Sequence, residues 1–282
     1  MDTAATARPA TARPARSAAP PSGEAAAHAI EVLTSEWHKL RTVRSTWWTL
    51  AAVAVFNVAG AAVLGIVLPK TLSASQQASH RDPVQLALIG LHLSQISVGV
   101  LGVLIIGSEY SSGMIRASLA AVPQRRLLLA AKTVVLAAAA AAAGVASCYA
   151  AWFAFGLFLP AGSPMRMPLS DPGVARAVTG AGLYLAVLAL AGLGLGAVLR
   201  STAGAITALF GILFVPSIIM QLLPSSWQDT VGPYLALNAA EAVYRVPQAP
   251  HFLAPWTGLG VLCGYAAAAL TAGFILIGRR DA

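Results

Sequence analysis

Six stretches of the chain, residues 47–68, 84–107, 127–159, 178–199, 202–223 and 256–277, are each an almost unbroken run of apolar residues. At about 1.5 Å of helical rise per residue, each is long enough to cross a hydrocarbon core of about 30 Å. In such a medium every backbone N–H and C=O must find its partner within the protein, so each run is expected to be a helix. An all-α membrane protein with six transmembrane helices follows. Composition agrees, since 57% of the residues are hydrophobic and only 10% charged, where soluble domains carry about 25% charged residues. The six runs use up most of the chain and leave no room for a soluble catalytic domain after residue 46.

The formal charge of +8 does not point to nucleic acid, because the Lys and Arg residues gather beside the ends of the runs, where anionic membrane lipids would meet them. Thirteen of the 18 basic residues fall on one set of flanks: Arg8, Arg13, Arg16, Lys39, Arg41, Arg44, Arg116, Arg125, Arg126, Lys132, Arg200, Arg279 and Arg280. The other five, Lys70, Arg81, Arg166, Arg176 and Arg245, fall on the alternate set. The positive-inside rule then predicts a multi-pass protein of the cell membrane with both termini in the cytoplasm.

Residues 1–29 are rich in Ala, Pro, Thr and Arg and read as a disordered cytoplasmic tail, with the first span as an uncleaved insertion signal. From residue 30 the pattern changes. Ile30, Leu33, Trp37, Leu40 and Val43 recur at three- and four-residue steps, with Glu31, Ser35, Lys39 and Thr42 on the other face. This predicts an amphipathic helix over 30–46 lying at the inner membrane surface, with a plain helical extension of the first span as the alternative. One membrane domain, residues 30–282, is expected. The segment 224–255 holds a further apolar stretch, too short to cross, which reads as a re-entrant or surface-lying helix. Two small-residue patterns, Gly192-x-x-x-Gly196 and Gly260-x-x-x-Gly264, predict close helix packing. Cys148 and Cys263 both fall within spans, which speaks against a disulfide framework or a zinc site.

No catalytic constellation is evident. There is no Gly-x-x-x-x-Gly-Lys-Ser/Thr loop to cradle phosphates, no His-Glu-x-x-His, no Gly-x-Ser-x-Gly and no intramembrane carboxylate pair for proton relay. The chain is therefore expected to be no enzyme, to bind no cofactor or metal, and to bury no charge. Polar residues within spans are few. Asn57, His92 and Gln95 are candidates for lining a pathway, and His92 and Gln95, three apart, share a helix face; interhelical hydrogen bonding is the competing role.

The connection from Gly107 to Arg126 is the most specific segment. After Gly113, the residues Ile115, Leu119 and Val122 form one apolar stripe beside Arg116, and Pro123 ends it. A short amphipathic helix is expected there, with Glu109 pairing with an arginine such as Arg116. In this segment, Glu109-Tyr110-x-x-Gly113-Met114-Ile115-Arg116 followed by Leu119 and Pro123, the chain resembles the permease subunits of ABC transporters of the ABC-2 type. Ser-Glu-Trp-His-Lys-Leu-Arg over 35–41 and the C-terminal Gly-Arg-Arg-Asp add to the resemblance, which covers about residues 30–282.

The resemblance implies an exporter subunit whose connection after the second span carries a coupling helix. Glu109, Tyr110, Gly113, Arg116 and Leu119 would contact a separate cytoplasmic ATPase subunit, which holds the ATP and Mg. It also implies a second permease copy or a similar permease as partner, and short external helices between the fifth and sixth spans. A membrane scaffold or immunity protein, acting by partner binding alone, is the rival reading.

Overall fold

The computed structural model describes residues 22–79, 82–114, 124–246 and 252–279. Among these residues there are helices and no strands, and six of the helices are long and apolar enough to cross a membrane. The chain is an all-α, multi-pass membrane protein. It opens with α1 (Ser22–Thr42), eight residues earlier than the sequence pattern marks, so that residues 22–29 are helical where a tail was expected. Val43 then takes an extended conformation (φ −77°, ψ 113°) and divides the expected 30–46 helix, since α2 (Arg44–Thr71) starts directly after it.

The face that α1 turns to the bundle differs from the expected apolar stripe. Val32 and Glu36 are buried against the bundle, whereas Ile30, Trp37 and Val43 of the stripe are exposed. A helix with one polar-containing face on protein and a separate apolar face left uncovered is suited to lie along a bilayer surface while docked sideways.

Within α2, beyond Thr46 in its first turn, the buried positions are Val53, Asn57, Ala61 and Gly65, spaced at four residues. This is one narrow ridge of mostly small side chains, and it lets α2 pack closely on its neighbours while the rest of its surface stays apolar and open. Next come the short helices α3 (Ala74–Ser79) and α4 (Pro83–Ala87), and then α5 (Leu91–Ser111). The second apolar run, expected as one helix over 84–107, is thus broken at 88–90 and extended four residues past its expected end. The break has a packing cause: a Cβ on Gly90 would stand 2.0 Å from the Phe56 carbonyl oxygen, so only glycine lets the turn sit against α2.

The third run forms α6 (Arg125–Phe158), followed by α7 (Val174–Leu199) and α8 (Thr202–Met220). α7 is the central helix, packed against α5, α6 and α8 and against the later helices Ala236–Tyr244 and Pro255–Arg279. Its Gly192 and Gly196 behave as the sequence predicts. A Cβ at Gly192 would lie 2.6 Å from the Gly99 oxygen, and one at Gly196 2.8 Å from the Ile106 side chain, so both glycines let α7 approach α5 closely.

Between the fifth and sixth spans lie α9 (Ser225–Thr230), a 3₁₀ turn (Gly232–Tyr234) and α10 (Ala236–Tyr244). α10 buries Ala239, Ala240 and Val243 and packs on α7, α8 and the last span, α11 (Pro255–Arg279). α11 carries Gly260-x-x-x-Gly264, and both glycines face open space, so among the described residues the second small-residue pattern packs against nothing. Cys148 in α6 is buried, Cys263 in α11 is exposed, and neither is in a disulfide.

Candidate functional site

The end of the bundle where α1 meets the last turn of α5 is termed proximal below, and the end holding α4 and α10 distal. Because α5 runs to Ser111, Glu109 and Tyr110 belong to its final turn and not to the connection that follows. Glu109 is 3% exposed. Its partners come from two other elements: Lys132 of α6 donates to Glu109 Oε1 at 2.7 Å, and Lys39 of α1 donates to the same oxygen. Lys132 also donates to Glu36 Oε2 of α1 at 2.7 Å, and Lys39 stands 3.9 Å from Glu36 Oε1. Four charged side chains therefore join α1, α5 and α6 in one neutral cluster.

This corrects one expectation: charge is buried in the bundle after all, for Lys132 is also only 3% exposed. The lysines are partners of Glu109 that the sequence did not suggest, and the expected partner Arg116 lies outside the described residues together with Ile115, Leu119, Val122 and Pro123. The physical logic is compensation. A single ammonium or carboxylate in this setting would cost several kcal/mol, and mutual pairing with hydrogen bonds offsets that cost. Burial pushes the Lys39 ammonium down from its ordinary pKa, but the neighbouring Glu109 and Glu36 carboxylates outweigh it and hold the pKa above 10.5. With the folded value raised, the stabilisation from Lys39 is fully present at neutral pH and is lost only as pH climbs past that range. One atom is left over: Glu109 Oε2 is buried with no hydrogen-bond partner.

Tyr110 fastens a third connection. The Arg200 guanidinium lies over its ring, 5.3 Å from the centroid. Arg200 sits in the two-residue turn between α7 and α8 with a left-handed backbone (φ 52°), which a non-glycine side chain adopts only under constraint. Ser201 closes the turn by accepting from Gly204 N at 3.3 Å as the cap of α8. Gly113, with φ 72°, stands just past the end of α5, where a left-handed residue turns the chain away from the helix axis. It ends a span here.

The three pathway candidates have different surroundings. Asn57 is fully buried and donates to Ser147 Oγ of α6 at 3.0 Å, with its Oδ1 left unpartnered. Gln95 is buried and accepts from the Tyr184 hydroxyl of α7 at 2.6 Å. His92, in the first turn of α5, is exposed, and its Nδ1 lies 3.2 Å from the Ile89 oxygen of the preceding turn. So Asn57 and Gln95 tie helices together, and of the pair three residues apart on α5 only Gln95 is buried in the bundle while His92 is exposed.

Sequence reasoning missed Glu36 and counted Lys132 as a flank residue. The signal for Lys132 was present: a lysine at the eighth position of α6, with no further charged residue before the helix ends at Phe158, needs a counter-ion. Glu36 left no such mark, since a glutamate on a surface helix is ordinary. No family model matches this chain, and no curated protein matches it.

Proposed function

We propose that the chain is the membrane-spanning permease subunit of an ATP-binding-cassette exporter of the ABC-2 type, set in the cell membrane with both termini cytoplasmic. A separate ATPase subunit would supply the energy and a second permease would complete the pathway. The reading rests on the motif around Glu109 and Gly113, and one structural observation supports it: the helix end that leads into the motif is fastened to three other elements, α1, α6 and the α7–α8 turn.

Glu109 ties the last turn of α5 to α1 and α6, and Tyr110 ties it to the α7–α8 turn. A force applied just beyond Gly113 would thus act on a clamped unit rather than on one free helix end. Bistable packing needs such stiffness if ATP, by binding one state of the ATPase better than the other, is to shift the equilibrium of the permease.

The direct test is a cysteine at Ser118 in a chain lacking Cys148 and Cys263, purified in mild detergent with whatever ATPase accompanies it. A crosslink from that cysteine to the ATPase, whose yield changes with ATP, is the expected result. Leu119→Asp should leave insertion intact and lower the amount of copurified ATPase about tenfold, the equivalent of about 1.4 kcal/mol. If no ATPase copurifies or crosslinks while the protein stays folded, the exporter reading fails in favour of a membrane scaffold.

A further inference from the structure

At the proximal end a cavity of about 490 Å³ opens between α1, the start of α2, α5 and α6. Leu101, Leu104, Ile105 and Val135 form apolar walls, and the four charges of the cluster border the same space. A void of this size is large enough for a small ligand or part of a larger one. Three observations narrow the occupant.

The first is the unsatisfied acceptor. Glu109 borders the cavity, is 3% exposed, and leaves Oε2 without a partner in a place where such an atom is costly. It calls for a donor, and a cationic one best, because charge-assisted hydrogen bonds are the strong ones. The second is Lys39, whose side chain remains one-third exposed after pairing and keeps N–H groups for an anion. A head group with an ammonium and a phosphate a few bonds apart matches both.

The third observation is depth. Trp37, Trp47 and Trp48 are all exposed beside the cavity entrance elements, and Trp47 Nε1 donates to the Arg41 oxygen at 2.7 Å. Exposed tryptophans on the first turns of a span mark the level of lipid head groups. Apolar walls below a polar rim at that depth suit an amphiphile from the adjacent leaflet.

We propose that this cavity binds one amino-phospholipid, its ammonium donating to Glu109 Oε2, its phosphate against Lys39, and the first part of an acyl chain along Leu104 and Ile105. The site needs neither the ATPase nor a second permease, so its test is separate from that of the exporter reading.

The full chain, stripped of lipid by prolonged washing in detergent, is titrated with dioctanoyl phosphatidylethanolamine, phosphatidylcholine and phosphatidylglycerol while its thermal midpoint is followed. The ethanolamine lipid should bind about tenfold more tightly than the choline lipid, which has the same charges but no N–H to donate, the equivalent of one charge-assisted hydrogen bond. The glycerol lipid, lacking the cation, should also bind more weakly. Leu104→Trp fills the cavity from its apolar side and should abolish the ethanolamine-dependent shift; Ile105→Trp serves the same purpose should the first variant fold poorly. Equal shifts with all three lipids, or an ethanolamine shift that survives a well-folded filling variant, overturns the proposal. The comparison among lipids uses the unaltered chain and decides without any variant.

Discussion

The two ends of the bundle use charge in opposite ways. At the proximal end ions pair with ions: Lys132 and Lys39 are shared between Glu36 and Glu109, from three elements. At the distal end ions satisfy backbone. Arg176 of α7 donates to the Val243 and Arg245 oxygens, both at 2.9 Å, and so caps the end of α10. Asp82 accepts from Gln85 N at 3.2 Å, capping α4, and from Val246 N at 3.1 Å. Arg245 completes the group, 3.6 Å from Glu241 and with its guanidinium 4.1 Å from the Phe252 ring centroid. Charges at the distal end hold short helices in place, and removing Arg176 or Asp82 leaves backbone carbonyl or N–H groups without their partner. Those at the proximal end hold one another, and removing one leaves a buried ion.

That difference predicts a ranking. Lys132→Met should have the largest effect, about 3–5 kcal/mol of lost stability, because Glu36 and Glu109 both lose their buried counter-ion. Denaturant unfolding in detergent measures it, and adding Glu36→Gln should recover part of the loss. No recovery would mean that Lys132 matters for its packing, and the contrast between the two ends would fall.

Arg176→Gln should cost about 1–3 kcal/mol, the range for leaving partly buried carbonyls without donors. The loss should be local: amide exchange should quicken over α10 and leave the proximal end of α5 unchanged. Equal quickening at both ends would show that the two regions are one cooperative unit.

The smallest effect concerns pH. Burial raises the Asp82 carboxyl above its usual 3.8, and the N–H groups of Val246 and Gln85 pull it back only in part. Since the folded value is the higher one, the protonated form is favoured by folding. The related stability is present below the unfolded pKa and is lost as pH rises through the raised folded value. The thermal midpoint of Asp82→Asn should therefore fall less than that of the unaltered chain as pH rises across this acidic window. Parallel curves for the two proteins would remove Asp82 from the account.

How much of this could be read from sequence differs by element. The spans were legible because hydropathy is a local sum over about 20 residues, and five of the six apolar runs became single helices. The remaining run, the second, was split at Gly90, which in sequence is one more small residue in an apolar run. Only the Phe56 carbonyl across the gap makes it a break. The two small-residue patterns look alike in sequence as well, yet Gly192 and Gly196 press against α5 while Gly260 and Gly264 face open space. At the candidate site, Glu109, Tyr110 and Gly113 were legible as a motif, but the partners of Glu109 were not, since Lys39 lies 70 positions before it and Lys132 23 after.

What the sequence by itself determined was that this chain is a six-span helical membrane protein, for every residue in an apolar run adds to that outcome independently and a continuous apolar run of this length satisfies its own backbone in a bilayer as a helix. Tertiary structure alone decided that Glu109 and Lys132 could be buried. A charge in that setting is tolerable only when its counter-ion arrives at hydrogen-bonding distance, and arrival depends on how α1, α5 and α6 pack, which no local pattern encodes.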